Sequence, residues 1–426
     1  MRKFLLFLSF SAFMMSFFHV SGQQLKRCGT MEYLARQMAA DPSVKTRMDA
    51  VEEMTREFES QSSGMRTSST VVTIPVVFHV LYKTASQNIS DARIFDQINT
   101  LNKDYALMNA DTVNIPAAFR PMAANTNIQF CLAHQDTNGA YTSGIIRKSV
   151  TATGFDPISN DNVKFSSSGG DNAWDRNSYL NVWVCNFTGA SNSIIGISQF
   201  PGQTASTDGC VILYTTIGGE NYHGTEQFYN LGRTLTHEVG HWLNLRHIWG
   251  DDGGTCTGSD FVSDTPNQAS ENYGCVSFPH VSCSNGPNGD MFMNYMDYGN
   301  DNCLNMFTTG QGTRMNAALN GPRLAIKNST KCDDLTQVSN PSGRFPFSIY
   351  PNPNTGEFVL SSEIADQGDV TVTITNLLGE IIYSRKFHGL SYLVQKFDLG
   401  NQPNGIYLVE MRSESAISTG KVAVSR

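Results

Sequence analysis

The sequence predicts an α/β central region set between a short helical N-terminal segment and a small all-β unit at the C-terminal end. Three observations carry this. Strand-like apolar runs and a capped helical pattern follow one another between Thr73 and Tyr214. Apolar residues recur at helical spacing from Ser43 to Ser60. From residue 345 onward, short β-rich stretches are separated by turn signals. With 426 residues the chain is too long for one typical domain. A content of 40% hydrophobic and 16% charged residues is globular rather than disordered. The formal charge of −8, without any Lys/Arg run, argues against nucleic acid as a partner.

Residues 1–22 read as an export signal. Arg2 and Lys3 give a basic start, Phe4 to Val20 is an apolar run, and Ser21 and Gly22 precede polar Gln23 and Gln24. The run is short for a spanning helix, and no later segment is long and apolar enough, so no membrane span is expected. Export places the nine cysteines where disulfides persist. Nine is odd, so at least one thiol is unpaired or pairs outside the chain.

Residues 23–65 predict a helical hairpin without a core of its own. Met31 to Ala40 forms one arm; Val44, Met48, Val51, Met54 and Phe58 mark the other. A Ser/Thr-rich joint, Gln61 to Thr70, follows. Hairpin plus joint is the layout of a removable propeptide. The central region, residues 66–332, starts with a strand at Ile74 to Leu81. Ser90 and Asp91 then cap a helix reaching about Leu107. Further strands are expected at Ile128 to Ala133, Leu180 to Val184 and Cys210 to Tyr214. Beyond Gly250 the chain turns rich in Gly, Asn, Asp and Cys and loses periodicity, as irregular disulfide-held structure would. Residues 333–344 read as a linker. In residues 345–426, Val370 to Thr375, Glu380 to Tyr383 and Ile406 to Met411 predict strands of a β-sandwich.

His237-Glu238-Val239-Gly240-His241 carries the chemistry. Residues four apart on a helix share a face, so both imidazoles can reach one ion. Leu231, Leu235, Val239 and Trp242 offer an apolar stripe to bury the helix. His247 supplies the third ligand that a catalytic zinc takes, leaving one position open for water. The chain must turn sharply after His241. Asn244 stands where glycine commonly makes such a turn, and asparagine tolerates the left-handed conformation. Glu238 is next to a ligand without being one, the place of a general base.

The extended histidine motif resembles that of the metzincin metallopeptidases, and Asn294-Tyr295-Met296-Asp297-Tyr298 resembles their methionine turn. The stretch His241 to Asp251 is similar to the pappalysin family, specifically its ulilysin-like members, over roughly Ile74 to Asn316. The resemblance implies a twisted mixed sheet above an active-site helix, with an irregular disulfide-rich lower subdomain. It implies a zinc endopeptidase acting on extracellular proteins and peptides. Met296 would form the floor under the zinc, and Tyr298 would donate its phenol to the tetrahedral intermediate. It also implies crossed bridges Cys256–Cys283 and Cys275–Cys303, where spacing alone allows three pairings. The partners of Cys131, Cys185, Cys210 and Cys332 stay open. The loop Asp260 to Thr265 resembles the family's calcium site, with Asp260, the Val262 carbonyl and Thr265 as ligands of Ca2+. Asp301 stands where those enzymes carry the acid of the S1′ pocket, which implies Arg, or Lys less well, after the scissile bond.

Arg27-Cys28-Gly29 resembles a cysteine switch, with the Cys28 thiolate taking the water's place on the zinc. Setting Cys28 aside leaves an even eight cysteines. With an Arg-selective pocket, the Met65-Arg66 bond in the joint is the expected self-processing point, with Arg66 as the new N-terminus. Ile349 to Phe358, Leu378-Gly379 and Gly405-Ile406-Tyr407 resemble type A sorting domains of the type IX secretion system. That implies an outer-membrane secretion machinery as partner and a product that is secreted or held at the cell surface. The competing class is a binding protein on a dead protease scaffold. Intact Glu238, the full histidine set and Tyr298 argue against it.

Overall fold

The computed structural model describes residues 25–62, 71–333, 347–364, 369–389, 392–413 and 417–426. The export signal, Arg66 and all of the linker except Asp333 lie outside them.

The N-terminal segment contributes β1 (Lys26–Cys28), α1 (Thr30–Ala40) and α2 (Ser43–Ser62). Its helices bury Leu34, Val44 and Met48 against Phe200 of the central unit, so the hairpin borrows its core as expected. The central sheet then gains β2 (Val72–Tyr82), with α3 (Asp91–Tyr105) after it. α3 is capped by the Ser90 side chain and stops before Leu107, whose φ of 56° ends the helical path. β3 (Ile128–Leu132), β4 (Ile145–Ser149), β5 (Leu180–Cys185), β6 (Ile194–Ser198) and β7 (Cys210–Leu213) complete the sheet. Its order is β1-β6-β7-β5-β2-β3, with β4 sharing the edge of β2 with β3. Only β6 runs antiparallel to its neighbour β7; the other pairs are parallel. Every residue of β5 is buried, as parallel strands covered on both faces require.

α4 (Arg233–Trp242) and α3 cover one face of this sheet. That face packs Val76, Val80, Val182 and Ile212 against Ile94, Leu235 and Val239. α4 begins at Arg233, so Leu231 stands before the helix rather than on its stripe. Below α4 the chain is irregular until α5 (Thr309–Asn320) and α6 (Leu324–Lys327). Disulfides Cys256–Cys283 and Cys275–Cys303 join as expected, and a third links Cys131 to Cys332. The even count of eight does not mean four bridges. Cys185 and Cys210 are reduced and fully buried. In the β5–β7 register Cys210 faces Val182 and Cys185 faces Leu213. The two thiols are thus offset by three residues along the strands, about 10 Å, beyond disulfide reach.

The C-terminal unit is an all-β sandwich. One sheet holds β10 (Val370–Thr375), β11 (Ile381–Phe387), β13 (Gly405–Arg412) and β14 (Ile417–Val424). The other holds β8 (Phe347–Tyr350), β9 (Glu357–Glu363) and β12 (Tyr392–Asp398). Phe358, Leu360, Val372, Ile374, Val409 and Met411 fill the space between. Among the described residues no helix is long and apolar enough to cross a membrane.

Candidate active site

α4 presents His237 and His241 one turn apart, with both rings fully buried. Its last turn closes on Asn244, whose φ of 75° reverses the chain as the sequence required and returns His247 to the other two. Each imidazole has its Nδ1 engaged. The acceptors are Tyr295 O at 2.7 Å for His237, Leu245 O at 2.8 Å for His241, and Asp251 Oδ1 at 2.7 Å for His247. Donation from Nδ1 leaves each Nε2 with a lone pair directed inward. His237 Nε2 is buried with no partner, and the Nε2 atoms of His241 and His247 stand 3.1 Å apart. Two lone pairs at that distance repel unless a cation lies between them. Burial, and then the neighbouring imidazoles, hold His237 and His241 well below the ordinary histidine pKa, so both rings are neutral and ready to ligate. The three nitrogens and Cys28 Sγ lie within 4.8 Å of one another, a donor set that fits a tetrahedral zinc.

Met296 lies beneath this group. A Cβ at Gly240 would come within 2.5 Å of its sulfur, so glycine here lets the methionine turn press against the helix. Glu238 is fully buried. Its Oε2 accepts from Thr30 Oγ1 at 2.9 Å and lies 3.5 Å from Cys28 Sγ, while Oε1 has no partner. Burial pushes its carboxyl up to about 8, against the pull of hydrogen bonds from Cys28 and Thr30 and the charge of Arg27. Burial, and then the Glu238 charge, push the Cys28 thiol well above its usual value. A cation at the shared centre would act in the opposite direction on both groups. Gly196 of β6 faces Glu238; a Cβ there would meet Oε1 at 2.6 Å. Tyr298 Oη donates to the Cys28 carbonyl at 3.1 Å and lies 3.3 Å from His247 Nε2.

Asp301 is fully buried. Its Oδ2 accepts from the backbone N–H of Leu231 at 2.8 Å and of Arg233 at 3.3 Å. Its Oδ1 accepts from Arg27 Nη2 at 2.8 Å, and that guanidinium also donates to Gly299 O and lies over the Tyr229 ring. The N-terminal segment therefore reaches two places at once: Cys28 lies at the histidines and Arg27 against Asp301. It gets there by adding β1 to β6 in parallel, Lys26 opposite Ile194 and Cys28 opposite Gly196. Sequence reasoning placed Cys28 and Asp301 but missed Arg27, Thr30 and Glu52. Glu52 of α2 forms a two-pronged ion pair with buried Arg314, whose Nε donates to Asn244 O at the turn between the histidines. Only the Arg27-Cys28 adjacency could have hinted at a side chain for Asp301.

The loop expected to hold calcium gathers Asp260 Oδ2, Thr265 Oγ1 and the Val262 carbonyl, with the hydroxyl 2.7 Å and 2.9 Å from the other two oxygens. Burial pushes Asp260 up to about 7. The Thr265 hydroxyl bridges the carboxylate and the carbonyl, so the three expected ligand atoms are brought together.

Residues 165–320 match the family described as pregnancy-associated plasma protein-A, and residues 348–425 match the secretion system C-terminal sorting domain family. An extracellular metalloprotease of Neurospora crassa is 34% identical over 278 residues, 62% of this chain and 81% of the fungal protein. One from Arthroderma otae is 31% identical over 251 residues, 57% of this chain and 76% of its own length. Among solved structures, a promirolysin mutant of Tannerella forsythia is 44% identical, covering 70% of this chain and 96% of its own, with a TM-score of 0.64. Mature mirolysin of that organism, in complex with a cleaved peptide, is 49% identical over 61% of this chain and 97% of its own, with a TM-score of 0.59.

Proposed function

Because the chain belongs to the pregnancy-associated plasma protein-A family and is a secreted zinc metalloendopeptidase carrying a secretion sorting tail, we propose that it is made as a zymogen and cuts before arginine. His237, His241 and His247 would hold the zinc, and Cys28 would be a further ligand in the latent form. When bound, the ion lowers the pKa of a water and polarises the scissile carbonyl. Glu238 Oε1, the unpartnered carboxylate oxygen, takes the proton of the attacking water and passes it to the leaving amine. Tyr298 Oη donates to the developing oxyanion, as it now donates to the Cys28 carbonyl. An extended substrate pairs with the β6 edge once β1 has left it. Its P1′ arginine, or less well lysine, enters the pocket of Asp301.

The observation that carries this reading is the buried Arg27–Asp301 pair beside Cys28 and the histidines. Residues 23–65 act as the propeptide, 66–332 as the catalytic unit and 345–426 as the sorting domain. The larger share of this chain covered by promirolysin than by mature mirolysin supports the removable segment. The loop of Asp260, Val262 and Thr265 binds calcium and stiffens the lower subdomain. Purified full-length chain and its Glu238→Ala variant, incubated with an unfolded protein substrate, test the whole. New N-termini mapped by mass spectrometry should begin mostly with Arg, Arg66 among them, and only in the chelator-sensitive wild type. A wild type that cuts without preference at P1′, or with residues 23–65 still attached, refutes pocket or latency respectively.

A further inference from the structure

After Cys28 the N-terminal segment leaves the cleft by an unusual route. Gly29 lies against β6, where a Cβ would meet Ile194 at 2.6 Å and Ile197 and Ile158 a little farther off. The glycine lets the chain slip over the sheet edge, and α1 continues on the face opposite α4. There Tyr33 is fully buried among Phe155, Val163, Trp183, Ile197 and Val211. Its hydroxyl is read from several sides. It donates to Asp161 Oδ1 at 2.8 Å, lies 3.2 Å from Gln199 Oε1, and accepts from Lys164 Nζ at 3.1 Å. Lys164 is itself buried, held by Thr207 O at 2.6 Å, with its ammonium 4.7 Å from the Tyr33 ring centroid and 5.4 Å from that of Trp183.

These groups dictate one occupant. The walls accept a planar ring, the Lys164 ammonium favours an aromatic face, and it needs an acceptor beyond Thr207 O. Asp161 Oδ2 is paired with Arg36 Nη2 of α1 at 2.9 Å, which leaves Oδ1 to accept from the same hydroxyl. A phenol hydroxyl satisfies both, while a phenyl ring leaves a buried ammonium short of a partner. We propose that Asp161, Lys164, Gln199 and Trp183 form a tyrosyl-binding socket on the outer face of the sheet, which holds α1 through Tyr33 independently of Cys28. Resting on the zymogen reading, the consequence is that the segment stays docked after the thiol has left the metal.

Hydrogen–deuterium exchange of the full-length chain in the Glu238→Ala background tests this without self-processing. The peptide covering α1 should exchange nearly as the parent in Cys28→Ser. It should exchange roughly tenfold faster in Tyr33→Phe, the size expected for losing hydrogen bonds to charged groups. Lys164→Met should reproduce the Tyr33→Phe result, with Asp161→Asn as the second socket variant should Lys164→Met not fold. Unchanged exchange in Tyr33→Phe, or full release of α1 by Cys28→Ser alone, overturns the socket. Failure of the zymogen reading shows elsewhere, as peptidase activity of wild-type chain that still carries residues 23–65.

Discussion

Arg27 Nη2 lies 2.8 Å from Asp301 Oδ1, and both side chains are within 1% of complete burial. The geometry explains how a fully buried acid is accommodated. Two backbone N–H groups hold Oδ2, and an arginine neutralises Oδ1. On the proposed reading, an uncharged P1′ side chain would leave this carboxylate buried and unpaired. Asp301→Asn should therefore lower kcat/KM for substrates with Arg at P1′ by roughly 30-fold or more, the size of losing one partner of a buried ion pair. Zinc content, measured by atomic absorption, should not change.

Cys28→Ser should shorten the lag before the full-length chain loses its N-terminal segment, followed on gels over time. The lag should not vanish, since Thr30 still caps Glu238 and Arg27 still pairs with Asp301. A variant as latent as wild type would remove Cys28 from the latency mechanism.

Tyr298→Phe removes a donor aimed at the place where negative charge builds up. It should reduce kcat about 100-fold with KM and bound zinc little altered. An equal fall in binding would make Tyr298 a packing residue instead.

The two disulfides Cys256–Cys283 and Cys275–Cys303 should separate into two kinds. Each closes a loop of 27 or 28 residues in sequence separation, so removing either pair by Cys→Ala should cost about 3–4 kcal/mol of stability. Only the Cys275–Cys303 bridge ends in the same short turn as Asp301. Its loss should also relax selectivity for arginine in a peptide-library cleavage profile, whereas loss of Cys256–Cys283 should not.

Calcium should raise the Tm of the wild-type chain and leave that of Asp260→Asn unmoved in thermal unfolding. Equal shifts in both would place the ion elsewhere.

Much of the centre was legible in the sequence because it is local. Spacing of four along a helix, and one left-handed residue at Asn244, suffice to bring His237, His241 and His247 together. β2, β3, β5 and β7 were legible as apolar runs and the tail as β-stretches between turns, whereas β1, β4 and β6 were not expected from the sequence. What no local pattern encodes is which distant side chain enters a site once it exists. Arg27 and Asp301 are 274 residues apart, Thr30 and Glu238 are 208 apart, and Glu52 and Arg314 are 262 apart. These meetings depend on β1 adding to the β6 edge and on α2 lying against α5, relations set by the whole sheet and its packing. The same holds for the thiols. Parity left the partners of Cys131, Cys185, Cys210 and Cys332 open, and a register offset between β5 and β7 keeps Cys185 and Cys210 apart. The sequence by itself determined the chemistry of the centre, because covalent spacing and backbone preference act over a few residues. Only the tertiary structure decided which distant side chains meet that centre, because Arg27, Cys28 and Thr30 are delivered to it across the fold by the pairing of β1 with β6.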